Sequence, residues 1–228
     1  MASAKNILVG ASPLFLSKLD NTSNLYKEDM EPGSTDGVSF VTKNLSATPA
    51  VPATVSYTST LNAATTKWRN VGFTNNGLQI SYQPTYDTVT VDQLLDAAKL
   101  FKSAMMVSIA TEMSEGTLEN VLAVFGQKGA PVDSGTLDSK TSTIGMEAGA
   151  LGIAPVERQL VAVGAAPTEN ATSTERVYYA RRVLSVEQSQ FSLSRSAATT
   201  FPVTFRLLPV EGKSGAEYGQ IIDRVLTV

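Results

Sequence analysis

Acidic side chains are the first candidates for chemistry in this chain. Glu112, Glu115 and Glu119 recur close together, and Asp92 and Asp96 stand four residues apart. Paired carboxylates act as acid and base in glycoside hydrolases. Helix capping and exposure on a solvated helix face account for the same residues without a catalytic role. We therefore favour a structural role for these acids, with a glycosidase as an alternative.

Two further patterns resemble ligand sites incompletely. Gly212-Lys213-Ser214 has the ending of a phosphate-binding loop, but Leu207 stands where that motif needs its first glycine. The segment Asp20 to Glu31 has acids at the first and twelfth positions of a calcium loop, but Leu25 replaces the glycine that makes the turn. We expect neither a nucleotide site nor a calcium site, and we predict no cofactor and no metal.

The absence of two residue types narrows the chemistry further. The 228 residues include no Cys and no His. Disulfides, thiolate nucleophiles, Cys/His zinc sites and Ser-His-Asp triads are therefore excluded. With 18 Lys and Arg against 21 Asp and Glu, the net charge is −3, which gives no overall attraction to nucleic acid or anionic lipid. We expect a protein that is not an enzyme and has no catalytic residues.

Alternation of apolar and polar residues predicts a mainly β chain. Leu78, Ile80 and Tyr82 alternate with polar neighbours, and the same period of two runs through residues 105–113 and 201–207. Asn75-Asn76-Gly77 is typical of a hairpin turn, and Pro84 indicates a bend or bulge within residues 84–88. Further strands are predicted at 159–164, 176–186 and 219–227.

One helix is predicted after the strand that ends near Met113. Ser114 is suited to cap it, Glu115 and Glu119 favour its early turns, and Gly126 is suited to end it. Its apolar stripe comprises Leu118, Val121, Leu122 and Phe125. A second helical stripe begins after Asp92 and comprises Leu94, Ala97, Ala98 and Phe101.

The length is compatible with a single β domain that spans residues 1–228. Residues 17–66 are rich in turn-forming residues and predict a long loop region, with short strands near 38–42 and 55–60. Residues 127–149 predict a second loop. The apolar stretch from Ile7 to Leu16 is interrupted by Gly10 and Pro13, so we expect no secretion signal. No apolar run reaches the roughly 20 residues of a membrane-spanning helix, and we predict no membrane association.

Arginines are concentrated near the carboxyl end of the chain. Such a cluster could contact nucleic acid, with Tyr178 and Tyr179 as stacking groups. Pairing between subunits with acids such as Glu115 and Glu119 is the interpretation we favour, because the whole chain is acidic. The arginines are Arg176, Arg181, Arg182, Arg195 and Arg206, against Glu175 and Glu187.

Several segments together resemble the major tail tube proteins of long-tailed, siphovirus-type bacteriophages. The resemblance lies in the order of strand, turn, strand, acidic helix and closing strands, and it covers residues 68–126 and 175–226. Its segments are Trp68 to Thr74, Gly77 to Pro84, Val89 to Asp96, Ser114 to Leu122, Phe201 to Pro209 and Tyr218 to Asp223.

That resemblance implies a β-sandwich of two packed sheets flanked by one helix. It implies six copies in a ring, and rings stacked into a hollow tube that delivers the genome. The implied partners are other copies of the chain, a tape measure protein and a tail terminator, while DNA passes through the lumen without specific binding. The implied location is the virion tail, assembled in the host cytoplasm. The helical stripe at residues 92–101 departs from the family, in which this region is more often extended or looped.

Head-to-tail joining of exposed sheet edges would close such a ring. We predict an axial contact within residues 30–66, and we expect a polar or acidic lumen, lined by Gln79, Ser81 and Gln83 or by Ser108 and Glu112. The candidate contact residues between subunits are Asp92, Gln93, Glu115, Glu119, Arg181, Arg182, Pro49 and Pro52.

Two alternatives remain open at this point. One is another virion β-sandwich, such as a head decoration or neck protein. The other is a secreted carbohydrate-binding or glycosidase domain, which would need an aromatic-lined groove. The chain has a single Trp, and 7% of its residues are aromatic.

Overall fold

A computed structural model gives the architecture of the chain. It describes residues 13–17, 41–42, 54–55, 68–127, 131–135, 139–146, 148, 156–166, 174–186, 189–193 and 198–225. Pro49, Pro52 and most of the predicted loop region 17–66 lie outside these ranges, as does most of the predicted axial contact at 30–66.

Twelve strands and one helix form within the described ranges. The first four strands are β1 (Leu14–Ser17), β2 (Val41–Thr42), β3 (Thr54–Val55) and β4 (Trp68–Asn70). Two long strands follow, β5 (Thr74–Val89) and β6 (Lys99–Met113), and then the helix α1 (Leu118–Val124). The remaining strands are β7 (Val132–Ser134), β8 (Thr141–Thr143), β9 (Arg158–Ala165), β10 (Thr174–Ser185), β11 (Phe201–Leu207) and β12 (Gly219–Val225).

Eight of the strands form one antiparallel sheet, in the order β4-β1-β9-β10-β11-β6-β5, with β12 also paired to β10. Strands β11 and β12 lie along the same side of β10, because β9 occupies its other side. The loop 208–218 separates them. Two small ribbons, β2-β3 and β7-β8, complete the secondary structure. The predicted mainly β, sandwich-like class with one helix is confirmed.

The two faces of the large sheet differ in polarity. One face is mainly apolar, with Arg69 on β4 and Arg158 on β9 as its buried charges, and packs with α1 in the main core, which includes Leu16, Leu160, Ile109 and Phe205. The opposite face is apolar only over β4, β1, β9 and β10, where Trp68 and neighbouring side chains form a second cluster. On β11, β6 and β5 this opposite face is polar. The sequence pattern reflects this division, because β9 is almost continuously apolar whereas β6 and β11 alternate.

Strands β5 and β6 form an arm that extends beyond the rest of the sheet. Only residues 108–113 of β6 pair with β11, while the two strands pair with each other as far as Val89 and Lys99. Asn76 and Gly77 have positive φ angles of 59° and 68°, but they form a bulge inside β5 and not the predicted hairpin turn. A second register shift between Thr85 and Tyr86 confirms the predicted bulge near Pro84.

Helix α1 begins and ends with defined caps. Thr117, not Ser114, is the N-cap, and its side chain accepts the N–H of Asn120. Gly126 ends the helix with a φ of 63°, and Gln127 donates to the carbonyl of Leu122 over 3.0 Å. The predicted stripe is wrong in part, because Phe125 is exposed; the buried helix residues are Asn120, Leu122, Ala123 and Val124.

The remaining predictions divide into confirmed strands and corrected segments. The strands at 159–164, 176–186, 201–207 and 219–227 correspond to β9, β10, β11 and β12. The second helix is wrong, since residues 92–98 form turns and bends at the tip of the arm and β6 begins at Lys99. The loop predicted at 127–149 contains the short β7-β8 ribbon.

Candidate assembly surfaces

The arm formed by β5 and β6 leaves backbone edges unpaired within the described residues. Strand β5 is paired only with β6, and the segment of β6 before Ser108 is paired only with β5. An unpaired edge offers N–H and C=O groups to any further strand. A two-stranded ribbon by itself is at best marginally stable in water. The arm is therefore the part of the sheet that gains most from pairing with another strand.

An apolar groove of about 260 Å³ opens between the arm and β12. It lies where the sheet divides, because β6 continues along β5 into the arm whereas β12 continues along β10. The unpaired edges of β6 and β12 consequently face the same gap. Ile80, Tyr82 and Ile221 line it and are 45%, 60% and 68% exposed. The other large groove residues are Met105, Val107, Ile109, Tyr178, Tyr179, Leu207 and Tyr218.

The other face of the arm is polar. Cross-strand pairing places Gln79 beside Ala110, Ser81 beside Ser108 and Gln83 beside Met106. The two lumen sets predicted from the sequence, one on each strand, thus share one face. That face continues onto β11, where Arg206 pairs with Ser108 and Thr204 with Ala110. Its described residues are mostly uncharged and hydrogen-bonding.

The described contact residues predicted from the sequence lie at three different places, which are the arm tip, the start of α1 with Glu115 and Glu119, and β10 with Arg181 and Arg182. Asp92 and Gln93 are exposed in the turn at the arm tip. Glu115 accepts the N–H of Phe73 at 3.0 Å, beside Gly72. A role for these residues between subunits stays a prediction.

Three of the carboxyl-terminal arginines have partners inside the subunit, while Arg206 is exposed, and Arg195 and Glu187 lie outside the described residues. Arg181 is buried and donates its Nε to the carbonyl of Ala216 at 3.0 Å. Arg182 pairs with Glu157, with 2.6 Å between Nε and Oε2. Two parallel bonds join Arg176 to Asp223, at 2.6 and 2.7 Å. These hydrogen bonds hold the pKa of Asp223 below its usual value and raise that of Arg176.

A buried polar cluster joins α1 to β4. Asn120 donates to the carbonyls of Val71 and Glu115, at 2.8 and 2.9 Å, and its Oδ1 accepts Nη1 of Arg69 at 2.6 Å. The Nε of Arg69 lies 3.4 Å from Oε2 of Glu119. Sequence reasoning missed Arg69 and Asn120, because each stands alone among residues of a short strand or helix and no local pattern marks it as buried.

Arg158 on β9 belongs to the same region. It is 8% exposed, and burial lowers its pKa to about 10, with the positive charge of Arg69 acting in the same direction and Glu119 opposing it. Burial also lowers the pKa of Arg69, while Glu119 and Glu115 raise it. A pKa of about 10 keeps Arg158 cationic at neutral pH.

The phosphate-loop pattern lies in a turn, whereas the calcium-loop pattern Asp20 to Glu31 lies outside the described residues. Gly212 and Lys213 lie in a turn, where Ala216 donates to the carbonyl of Lys213 at 2.8 Å. No group of three or more Asp and Glu residues suited to a metal ion occurs in the part of the chain that the structure describes. The single helix found there is too short to cross a membrane. The chain matches no protein-family model and no curated protein.

Proposed function

We propose that this chain is a structural subunit that assembles with copies of itself into rings and a hollow tube, as a phage tail tube protein does. The observation that carries the proposal is the arm, a long ribbon that lacks sheet neighbours on both edges of its outer half among the described residues. Pairing of this arm with the next copy would remove the free edges and close a ring by rotation.

Two chemically different faces of the arm support this proposal. The groove side exposes Ile80, Tyr82 and Ile221, which favours burial against another protein surface. The opposite side presents Gln79, Ser81 and Ser108, which are uncharged and can be hydrated, while Arg206 beside Ser108 is a cation on the same face. We infer that the groove side contacts the neighbouring copy and that the polar side faces the lumen.

Matched lysine substitutions on the two faces test this assignment. Ile80→Lys/Tyr82→Lys places two charges on the groove side, and we expect it to abolish tube formation. Gln79→Lys/Ser81→Lys places the same charges on the polar side of the same strand and should leave tubes intact. Negative-stain electron microscopy and light scattering of concentrated protein measure both. Wild-type protein that stays monomeric, or tubes from the groove variant, would contradict the proposal.

The groove also favours one second candidate, a carbohydrate-binding module. Tyr82, Tyr178 and Tyr218 line it, and aromatic rings with adjacent hydroxyl groups are suited to contact sugars. This candidate requires a monomeric protein that binds oligosaccharides. Glycan binding measured by calorimetry, together with monomeric behaviour in analytical ultracentrifugation, would favour it over the tube subunit. Another virion sandwich, such as a decoration or neck protein, would form no long tubes.

A further inference from the structure

Two buried arginines lie on the same face of the large sheet. Arg69 on β4 is opposite Leu16, and Leu16 is opposite Leu160 on β9, two residues from Arg158. Partners across an antiparallel sheet share a face, so both arginines lie on the face covered by α1. Strand β1 separates their strands, which places their backbones about 10 Å apart. Two arginine side chains readily bridge such a distance.

The charges at this place do not balance. Arg69 and Arg158 are each 8% exposed, whereas Glu119, which pairs with Arg69, has a side chain that is 52% exposed. Glu115 acts on Arg69 from further away and uses Oε1 to accept the N–H of Phe73. Among the described residues, the charged groups that act on Arg158 are Arg69 and Glu119. In the part of the chain that the structure describes, two buried cations thus share one half-exposed carboxylate.

One donor of the pair has no acceptor among the described residues. The Nη2 atom of Arg69 is buried and makes no hydrogen bond to any of them, although Nη1 and Nε are engaged by Asn120 and Glu119. A buried donor on a cation is costly when it is unsatisfied. A carboxylate that accepted Nη2 and lay beside Arg158 would satisfy the donor and balance the charge, since guanidinium groups bind carboxylates through two parallel bonds.

The arm tip carries a carboxylate suited to this role. Asp92 is exposed in the turn between β5 and β6, and its side chain makes no hydrogen bond or ion pair within the described residues. By contrast, Asp96 in the same turn accepts the N–H of Ala97 at 2.7 Å. Because the arm extends past β11, its tip is the described part of the sheet best placed to reach another molecule.

We propose that Arg69 and Arg158 form a socket for the Asp92 carboxylate of a second copy of this chain. The inference rests on the proposed self-assembly, and it names the ion pair that fixes the register between neighbouring copies. Burial in the socket would make this contact specific, because an arm tip lacking the carboxylate would leave both cations unmatched.

A double-mutant cycle tests the pair. Asp92→Asn and Arg158→Met should each raise the concentration needed for assembly by about tenfold or more. The double variant should need no higher concentration than the more impaired of the two single variants. Asp87→Asn, on the same arm, is the matched control and should have no effect. Asp92 is exposed, so its variant folds normally even if Arg158→Met does not. Unchanged assembly of Asp92→Asn, or additive effects in the cycle, would overturn the socket.

Cross-linking gives a readout that does not depend on tubes. The chain contains no cysteine, so Gln93→Cys and Glu119→Cys introduce single thiols beside the arm tip and the socket. We expect a mixture of the two variants to form a disulfide-linked dimer on oxidation, while Gln93→Cys mixed with Ser142→Cys does not. Equal cross-linking in both mixtures, or none in either, would overturn the socket. If wild-type protein forms no tubes but the dimer appears, only the proposed tube function fails.

Discussion

The Arg69 guanidinium donates to the Oδ1 of Asn120 over 2.6 Å in the interior of the subunit. Through this bond, the edge strand β4 is joined to α1, which packs on the main core. Asn120 also donates to the carbonyls of Val71 and Glu115, so its side-chain amide is fully used. One helix residue therefore fixes the position of the segment 69–73 and of the loop before the helix.

Replacement of Asn120 by leucine should destabilise the subunit by about 2–4 kcal/mol, because two carbonyls and a guanidinium lose their partner in a buried site. Urea denaturation followed by tryptophan fluorescence measures the change, since Trp68 is adjacent to Arg69. Asn75→Ala is the control, because Asn75 is exposed on β5 and its loss should cost less than about 0.5 kcal/mol. Equal effects at both positions would show that the Asn120 bonds contribute little.

A methyl group at Gly219 should disrupt the pairing of β10 and β12. Gly219 has a φ of 152°, and a Cβ there would overlap the carbonyl oxygen of Tyr179. We expect Gly219→Ala to cost about 2–3 kcal/mol, because backbone atoms must move apart. Gly164→Ala, on the other neighbour of β10, meets no atom within 4 Å and should be neutral or slightly stabilising. Thermal unfolding of both variants tests the contrast.

Acid should weaken the contact between β10 and β12 through Asp223. Arg176 holds the pKa of Asp223 below its usual value, so the pair stabilises the fold above about pH 4 and loses its effect as the pH falls through the lowered pKa. The Asp223 side chain is 50% exposed, which limits the contribution to at most about 1 kcal/mol. Asp223→Asn should lower stability at pH 7, and this difference should shrink as the pH falls below about 4. A difference that stays constant as the pH falls would rule out the ion pair as its cause.

Positive charge on the polar face of the arm should retard DNA. If Gln79 and Ser81 face the lumen, Gln79→Lys/Ser81→Lys provides phosphate contacts along the path of the genome. Genome ejection from particles that carry this variant should be slower than wild type, and slower still at low salt. Gln79→Asn/Ser81→Thr keeps the face neutral and should eject at the normal rate. Ejection rates that do not differ between the two variants would place this face outside the lumen.

Removal of residues 40–60 should abolish polymerisation without unfolding the subunit. The described strands within this range, β2 and β3, pair only with each other, so the deletion removes none of the described strand pairing of the large sheet. Circular dichroism should show a folded β protein, and electron microscopy should show no tubes. Tubes from the shortened chain would exclude this segment as the axial contact.

The sequence by itself determined the elements of the fold to a large extent. Alternation with a period of two predicted β6 and β11, and glycine at 126 predicted the helix end, because these signals depend only on neighbours along the chain. The absence of Cys and His from the sequence likewise excluded thiolate nucleophiles, Cys/His zinc sites and Ser-His-Asp triads. Local signals also misled, since the stripe after Asp92 favoured a helix that the pairing of β5 with β6 prevents.

Tertiary structure alone decided which faces and charges come together. Gln79 and Ser108 lie on different strands, and only the register of β5 with β6 placed them on one face. Arg69, Asn120 and Arg158 are distant along the chain and resemble surface residues individually. Their burial depends on contacts between elements far apart in sequence, such as the hydrogen bond between Asn120 on α1 and Arg69 on β4, and not on any local pattern.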